Sequence, residues 1–67
     1  MILFHERLKE LRKEKHLSKT ELAKELQVSQ RCISSWETGF RRPDFEMLEI
    51  LANYFDVTTD YLLGLTD

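Results

Sequence analysis

Leu17-Ser18-Lys19-Thr20-Glu21-Leu22-Ala23-Lys24-Glu25-Leu26-Gln27-Val28-Ser29-Gln30-Arg31-Cys32-Ile33-Ser34-Ser35-Trp36-Glu37-Thr38-Gly39 is the stretch that decides the fold. It contains one device twice: an apolar residue, a Ser, three residues, and a second apolar residue. Leu17-Ser18 leads to Leu22, and Val28-Ser29 leads to Ile33. A Ser at such a place accepts a hydrogen bond from an orphan N–H of a starting helix. The two apolar side chains flanking the first turn clasp each other and set how the chain enters the helix. Glu21, three residues after Ser18, completes a capping box. Gln27-Val28-Ser29 separates the two helices, and so tight a turn packs them at a steep angle. Gly39 stands where the second helix should end in the left-handed conformation that Gly adopts cheaply.

Outward from this stretch the device returns at Pro43-Asp44 with Leu48, and at Val57-Thr58 with Leu62. Four occurrences between residues 17 and 62 punctuate an all-helical chain. The predicted helices run over Phe4–Lys15, Lys19–Leu26, Gln30–Thr38, Phe45–Phe55 and Thr59–Leu63. Their inward faces should be Phe4, Leu8 and Leu11; Leu22, Ala23 and Leu26; Ile33 and Trp36; Leu48, Leu51, Ala52 and Phe55; and Leu62 and Leu63. Two Gly and one Pro are too few for an all-β fold, which needs many turn residues.

Composition bounds the rest. Sixty-seven residues hold one domain, 1–67, and a 42% hydrophobic, 33% charged mix is that of a globular chain. A single Cys makes no disulfide framework. His5, His16 and Cys32 lack zinc spacing, so no metal and no cofactor is expected. No apolar run approaches the ~18 residues of a membrane span. The start, Met1-Ile2-Leu3-Phe4-His5-Glu6, is not a secretory leader, which predicts a cytoplasmic protein.

The net charge of −2 hides an asymmetry. All ten basic residues lie in 1–42 beside six acidic ones, a balance of +4; 43–67 holds the other six acids and no Lys or Arg, a balance of −6. A polyanion responds to the field within about a Debye length, ~8–10 Å, so the basic half is open to one despite the acidic total. Two solvated faces of opposite sign would read the same way.

The helix from Gln30 shows Gln30, Arg31, Ser34 and Ser35 outward and no acid before Glu37. Gln can pair with adenine, Arg with guanine, and Ser with either, in a major groove. Any surface helix can carry these residues, so the face alone leaves both readings open.

Together, Leu17-Ser18-Lys19-Thr20-Glu21-Leu22-Ala23, Val28-Ser29-Gln30, Ile33-Ser34, Trp36-Glu37-Thr38-Gly39, Arg41-Arg42-Pro43 and the ending Phe55 to Gly64 closely resemble the phage repressor/Cro (XRE-type) helix-turn-helix regulators. The resemblance spans roughly 6–64. It implies a compact five-helix, lambda-repressor-like DNA-binding domain, with the motif at about 19–38, acting as a dimer. It implies base contacts from Gln30, Arg31 and Ser35. Phosphate contacts would come from Ser18, Lys19, Ser34, Arg41 and Arg42, and a structural ion pair from Arg12 and Glu37. The family often has Gly where Gln27 and Asp56 stand; a left-handed Gln27 would cost ~1 kcal/mol.

Met47, Ile50 and Tyr54 form a second apolar stripe on the fourth helix, for which a small domain should have no inner surface left. With Tyr61 and Leu65 they predict a twofold dimer patch. The alternative is partial burial against the C-terminal tail. Trp36, three residues from Ile33, reads as core rather than as a base-stacking residue. His5 and His16 read as surface residues at the ends of the first helix, and Cys32 as an ordinary helical thiol rather than a redox switch.

The function predicted is a sequence-specific regulator of transcription, a repressor, binding double-stranded DNA as a homodimer on an inverted repeat, with no small-molecule ligand. The alternative is a protein-interaction module, such as an antitoxin or adapter. An enzyme is the remote class: no nucleophile–base pair or glycine-rich phosphate loop is present.

Overall fold

The computed structural model describes residues 3–66. The leader reading at Met1 and Ile2, and the charge of Asp67, lie outside the described residues. Five helices follow one another: α1 (Phe4–Glu14), α2 (Lys19–Leu26), α3 (Gln30–Thr38), α4 (Phe45–Phe55) and α5 (Thr59–Leu62). No strand occurs among the described residues. The chain fills 28 × 23 × 20 Å.

Each predicted cap is made. The Ser18 hydroxyl accepts from Glu21 N–H at 3.0 Å, and the Ser18 N–H donates to Glu21 Oε1 at 2.8 Å. Ser29 accepts from Cys32 N–H at 3.2 Å, Asp44 from Met47 N–H at 2.8 Å, and Thr58 from Tyr61 N–H at 3.0 Å.

The helix ends follow a matching rule. His16, Gln27 and Asp56 have φ of 59°, 59° and 55°, the left-handed conformation. In each case the next residue turns its N–H back five residues: Leu17 to Arg12 O at 3.2 Å, Val28 to Ala23 O at 2.9 Å, Val57 to Ala52 O at 2.9 Å. This is the closure that satisfies the last carbonyls of a helix. Leu17, Val28 and Val57 are also the apolar residues before the next caps. All three are half-buried and packed against the core. One side chain therefore seals one helix and starts the next.

Every helix supplies one fully buried aliphatic: Leu8, Leu22, Ile33, Leu51 and Leu62. Leu11, Ala23, Leu26, Trp36, Ala52 and Phe55 complete the core. α3 packs against both α1 and α2, while α5 packs against α4 and α1. The motif is thus braced from behind.

Several expectations need correction. α1 ends at Glu14 rather than Lys15, because the chain turns left-handed at His16. α5 ends at Leu62, and Leu63 is 39% exposed rather than inward. A single turn has too few residues for a face to be read from spacing. Phe4 and Leu48 line the core only in part. His5 is half-buried, its Nδ1 only 3.3 Å from where a Cβ on Gly39 would lie. Gly39 thus meets two demands, a φ of 80° and a close neighbour.

Candidate nucleic-acid interface

α3 is held at both ends. At its start Ser29 caps it, while Val28 is anchored to α2. At its far end Glu37, 6% exposed, is gripped by Arg12 of α1. Arg12 Nε donates to Glu37 Oε2 at 2.7 Å and Nη2 to Oε1 at 3.1 Å. Arg12 Nη1 donates to Leu17 O at 2.7 Å, so one guanidinium ties together α1, the α1–α2 joint and α3. A planar fork facing a carboxylate in this way fixes orientation as well as distance. Ile33 and Trp36 anchor the inner side, and Trp36 is too buried to stack on anything outside.

The outer side of α3 then projects. Gln30 and Arg31 are exposed; Cys32, Ser34 and Ser35 are half-buried. After Gly39 the chain folds back, with Arg41 N–H donating to Ser35 O at 3.1 Å. This return closes an open concavity of about 760 Å³ between α3 and the start of α4. Arg31 and Ser35 line it from the helix, Arg41 and Arg42 from the loop, Asp44 from the cap of α4, and Glu46, Met47 and Ile50 from α4 itself. Four of the expected site residues, Arg31, Ser35, Arg41 and Arg42, are therefore brought together. Gln30 and Ser34 belong to the same helix without lining the concavity.

Ser18 and Lys19 sit apart, at the start of α2. The Ser18 hydroxyl oxygen and N–H are both engaged by Glu21. Hydrogen bonds from the Ser18 backbone and then its side chain hold the Glu21 carboxyl below its ordinary range. The N–H groups of Lys19 and Thr20 open the helix without helical acceptors, so they and the Ser18 O–H are the donors left for an anion. Lys19 itself is half-buried.

The second apolar stripe has more inner surface than its spacing suggested. Met47, Tyr54 and Tyr61 are half-buried against the core, and Ile50 alone of the four stands 47% exposed. Tyr54 packs edge-on to Phe55 at 5.1 Å, with the Lys15 ammonium 5.3 Å from its ring centre. Partial burial, and then Glu25, raise its pKa. Tyr61 lies under the buried guanidinium of Arg7, 3.9 Å from its ring centre. Arg7 Nη1 also donates to Glu10 Oε1 at 3.4 Å, one turn along α1, but nothing in the spacing could show Arg7 as an interior residue, since the ring that covers it is 54 residues away in the chain. Phe40 was also missed. It is 78% exposed, and its only signal is an aromatic placed outside every helical period, between Gly39 and Arg41.

Comparison with known proteins follows the same outline. A helix-turn-helix family model matches residues 8–62. The chain is 43% identical over 61 residues to the HTH-type transcriptional activator BcrR of Enterococcus faecalis, covering 91% of this chain and 30% of that one. It is 44% identical over 59 residues to the HTH-type transcriptional regulator AnsR of Bacillus subtilis (strain 168), covering 88% and 51%. The chain thus spans from under a third to about half the length of these relatives. Among solved structures, the P22 c2 repressor in complex with a synthetic operator superposes with a TM-score of 0.86 at 33% identity, covering 94% of this chain and 96% of that one. A transcriptional regulator from Listeria innocua gives 0.87 at 35%, covering 98% and 64%.

Proposed function

The chain belongs to the helix-turn-helix family, and from that premise we propose that it reads double-stranded DNA as the binding domain of a transcriptional regulator. The observation that carries this is the concavity in which Arg31 and Ser35 of a doubly anchored α3 meet Arg41 and Arg42 of the following loop. Base-reading groups and phosphate-neutralising groups then act from one side of the molecule.

α3 enters the major groove with Gln30, Arg31 and Ser35 toward base edges. Arg41 and Arg42 take phosphates on one flank. Ser18, Lys19 and the N–H groups opening α2 take them on the other, and Ser34, beside the base-reading residues of α3, takes a further one. Asp44 and Glu46, which line the same concavity, and the acidic total oppose this attraction. Affinity is therefore modest at physiological salt and rises steeply as salt falls.

The regulator acts as a homodimer, with two α3 copies entering successive major grooves ~34 Å apart on an inverted repeat. Ile50 on α4 and Leu65 near the chain's end offer apolar surface for this, both being exposed. Regulation is repression, by covering a promoter that overlaps the site; a reporter carrying that site should lose output when the protein is present.

Selection of bound duplexes from a random pool tests the reading. Enrichment of two mirrored half-sites about 10 bp apart is expected. Recovery of sequences without any common element would overturn it. Sedimentation at high micromolar concentration tests the dimer, and a monomer there would overturn that part alone.

A second reading is an interaction module, such as an antitoxin or adapter. It draws on Phe45, 91% exposed, and on exposed Leu3 and Leu63, which with it line a second concave surface, between the start of α1 and the start of α4. A stoichiometric protein partner, together with DNA affinity blind to sequence, would favour it.

A further inference from the structure

Phe40 is an aromatic left in water. Gly39, at φ 80°, turns the chain away from α3, and the Arg41 N–H to Ser35 O bond pins the return. Between these two constraints the side chain of Phe40 is thrown outward, 78% exposed. It finds no place in the core, although Trp36 lies buried just four residues before it. A ring held in solvent forgoes the stabilisation that burial would give it. Its surroundings are cationic. It lines the same concavity as Arg31, Arg41 and Arg42, and the Arg41 guanidinium lies 5.9 Å from its ring centre. The two carboxylates that line that concavity are Asp44, which caps α4, and Glu46 in the first turn of α4.

We propose that Phe40 is a DNA-contacting residue, packing its ring on deoxyribose carbons of the strand that Arg41 and Arg42 hold by its phosphates. The inference rests on the reading of α3 and this loop as the DNA-facing side. A loop that follows a helix lodged in the major groove meets the sugar–phosphate wall of that groove. There the uncharged surface offered to a side chain is the sugar between two phosphates. An aromatic flanked by guanidinium groups matches that alternation of apolar and anionic surface. The contact carries no base information, so it raises affinity for all duplexes alike.

The test uses the full chain and two fluorescein-labelled duplexes of equal length, one recovered by selection and one of random sequence. Binding is followed by anisotropy across a salt series for the wild type, Phe40→Ala, Phe40→Leu and Arg41→Ala. Phe40→Ala should weaken both duplexes by about 5- to 20-fold, as expected for apolar area returned to water, with the salt slope unchanged. Phe40→Leu should recover part of the loss. Arg41→Ala should lower the slope by ~1. Because the ring is exposed, thermal melting of both Phe40 variants should match the wild type. The proposal is overturned if Phe40→Ala binds both duplexes as the wild type does. A loss of salt slope like that of Arg41→Ala would also overturn it, since the ring would then merely prop that arginine. So would a loss confined to the selected duplex. Failure of the underlying reading looks different, because the wild type itself would then show no preference for the selected duplex.

Discussion

Arg12 and Glu37, on helices α1 and α3, face each other as a two-pronged ion pair with 2.7 and 3.1 Å contacts, both side chains almost wholly out of water. Removing one partner strands the other charge. Glu37→Ala should cost about 3–5 kcal/mol, the usual result of breaking a buried pair from one side. A domain this size holds only about 3–10 kcal/mol by the per-residue average, so the loss takes a third or more of the whole and should move the urea midpoint far down. Arg12→Met with Glu37→Leu strands no charge and should regain most of the loss. Urea denaturation followed by Trp36 fluorescence checks both; a single variant as stable as the wild type would contradict the pair's role.

Gln27 and Gly39 share the left-handed conformation but not its cost. Gln27→Gly should stabilise the domain by up to about 1 kcal/mol, a rise of ~4–8 °C in Tm at this size. Gly39→Ala should destabilise, through the same backbone penalty and the approach to the His5 ring. Adding His5→Ala should relieve the second part and leave the first. Calorimetric melting of the four proteins separates the two, and a Gln27→Gly domain that melts lower would refute the conformational account.

Glu21 sets a pH dependence whose sign is determined. Its carboxyl is held below its ordinary value of 4.5 by Ser18, so the folded state binds the proton less readily than the unfolded chain. This contribution is full above the unfolded value and is lost as pH falls through the lower folded one. Glu21→Gln can still bond to the Ser18 N–H but does not titrate. Its stability should therefore fall less steeply below about pH 4.5. Chemical denaturation from pH 6 to pH 3 gives the comparison; parallel slopes would deny Glu21 the role.

Arg31 and Arg42 line one concavity but should fail differently. Arg31→Ala should cost ~1–3 kcal/mol and relax preference at a single base pair, while Arg42→Ala should weaken all sequences equally and lower the salt slope by ~1. Binding to a panel of single-base-pair variants, repeated at several salt concentrations, separates them. Identical behaviour of the two variants would remove the division between reading and gripping.

Helix boundaries were legible because Ser18, Ser29, Asp44 and Thr58 each announce a start by a local hydrogen bond that needs no distant partner. The deepest core was legible: Leu8, Leu22, Ile33 and Leu51 from helical spacing, and Leu62 from its place four residues after the Thr58 cap. Spacing within one helix does not tell how a neighbour's tilt covers a second face, which is why Met47, Tyr54 and Tyr61 proved half-buried. Arg7 was unreadable for a related reason: its stacking on Tyr61 depends on where α5 lands. His16 gives no sign of its positive φ, since nothing but the neighbouring Leu17-Ser18 marks the turn. Within the candidate site the charged and hydroxyl residues were visible by type. The exposure of Phe40 was not, because it follows from how one loop closes on Ser35.

The doubled duty of Val28 has a consequence for how such a protein acquires a new target. Because the tilt of α3 is set from beneath, by Val28, Ile33 and Trp36, the outer side chains add little to it: Gln30 and Arg31 stand exposed and Ser35 is only half-buried. Exchanging Gln30, Arg31 and Ser35 as a set should retarget the domain without refolding it, much as a printing block accepts new type.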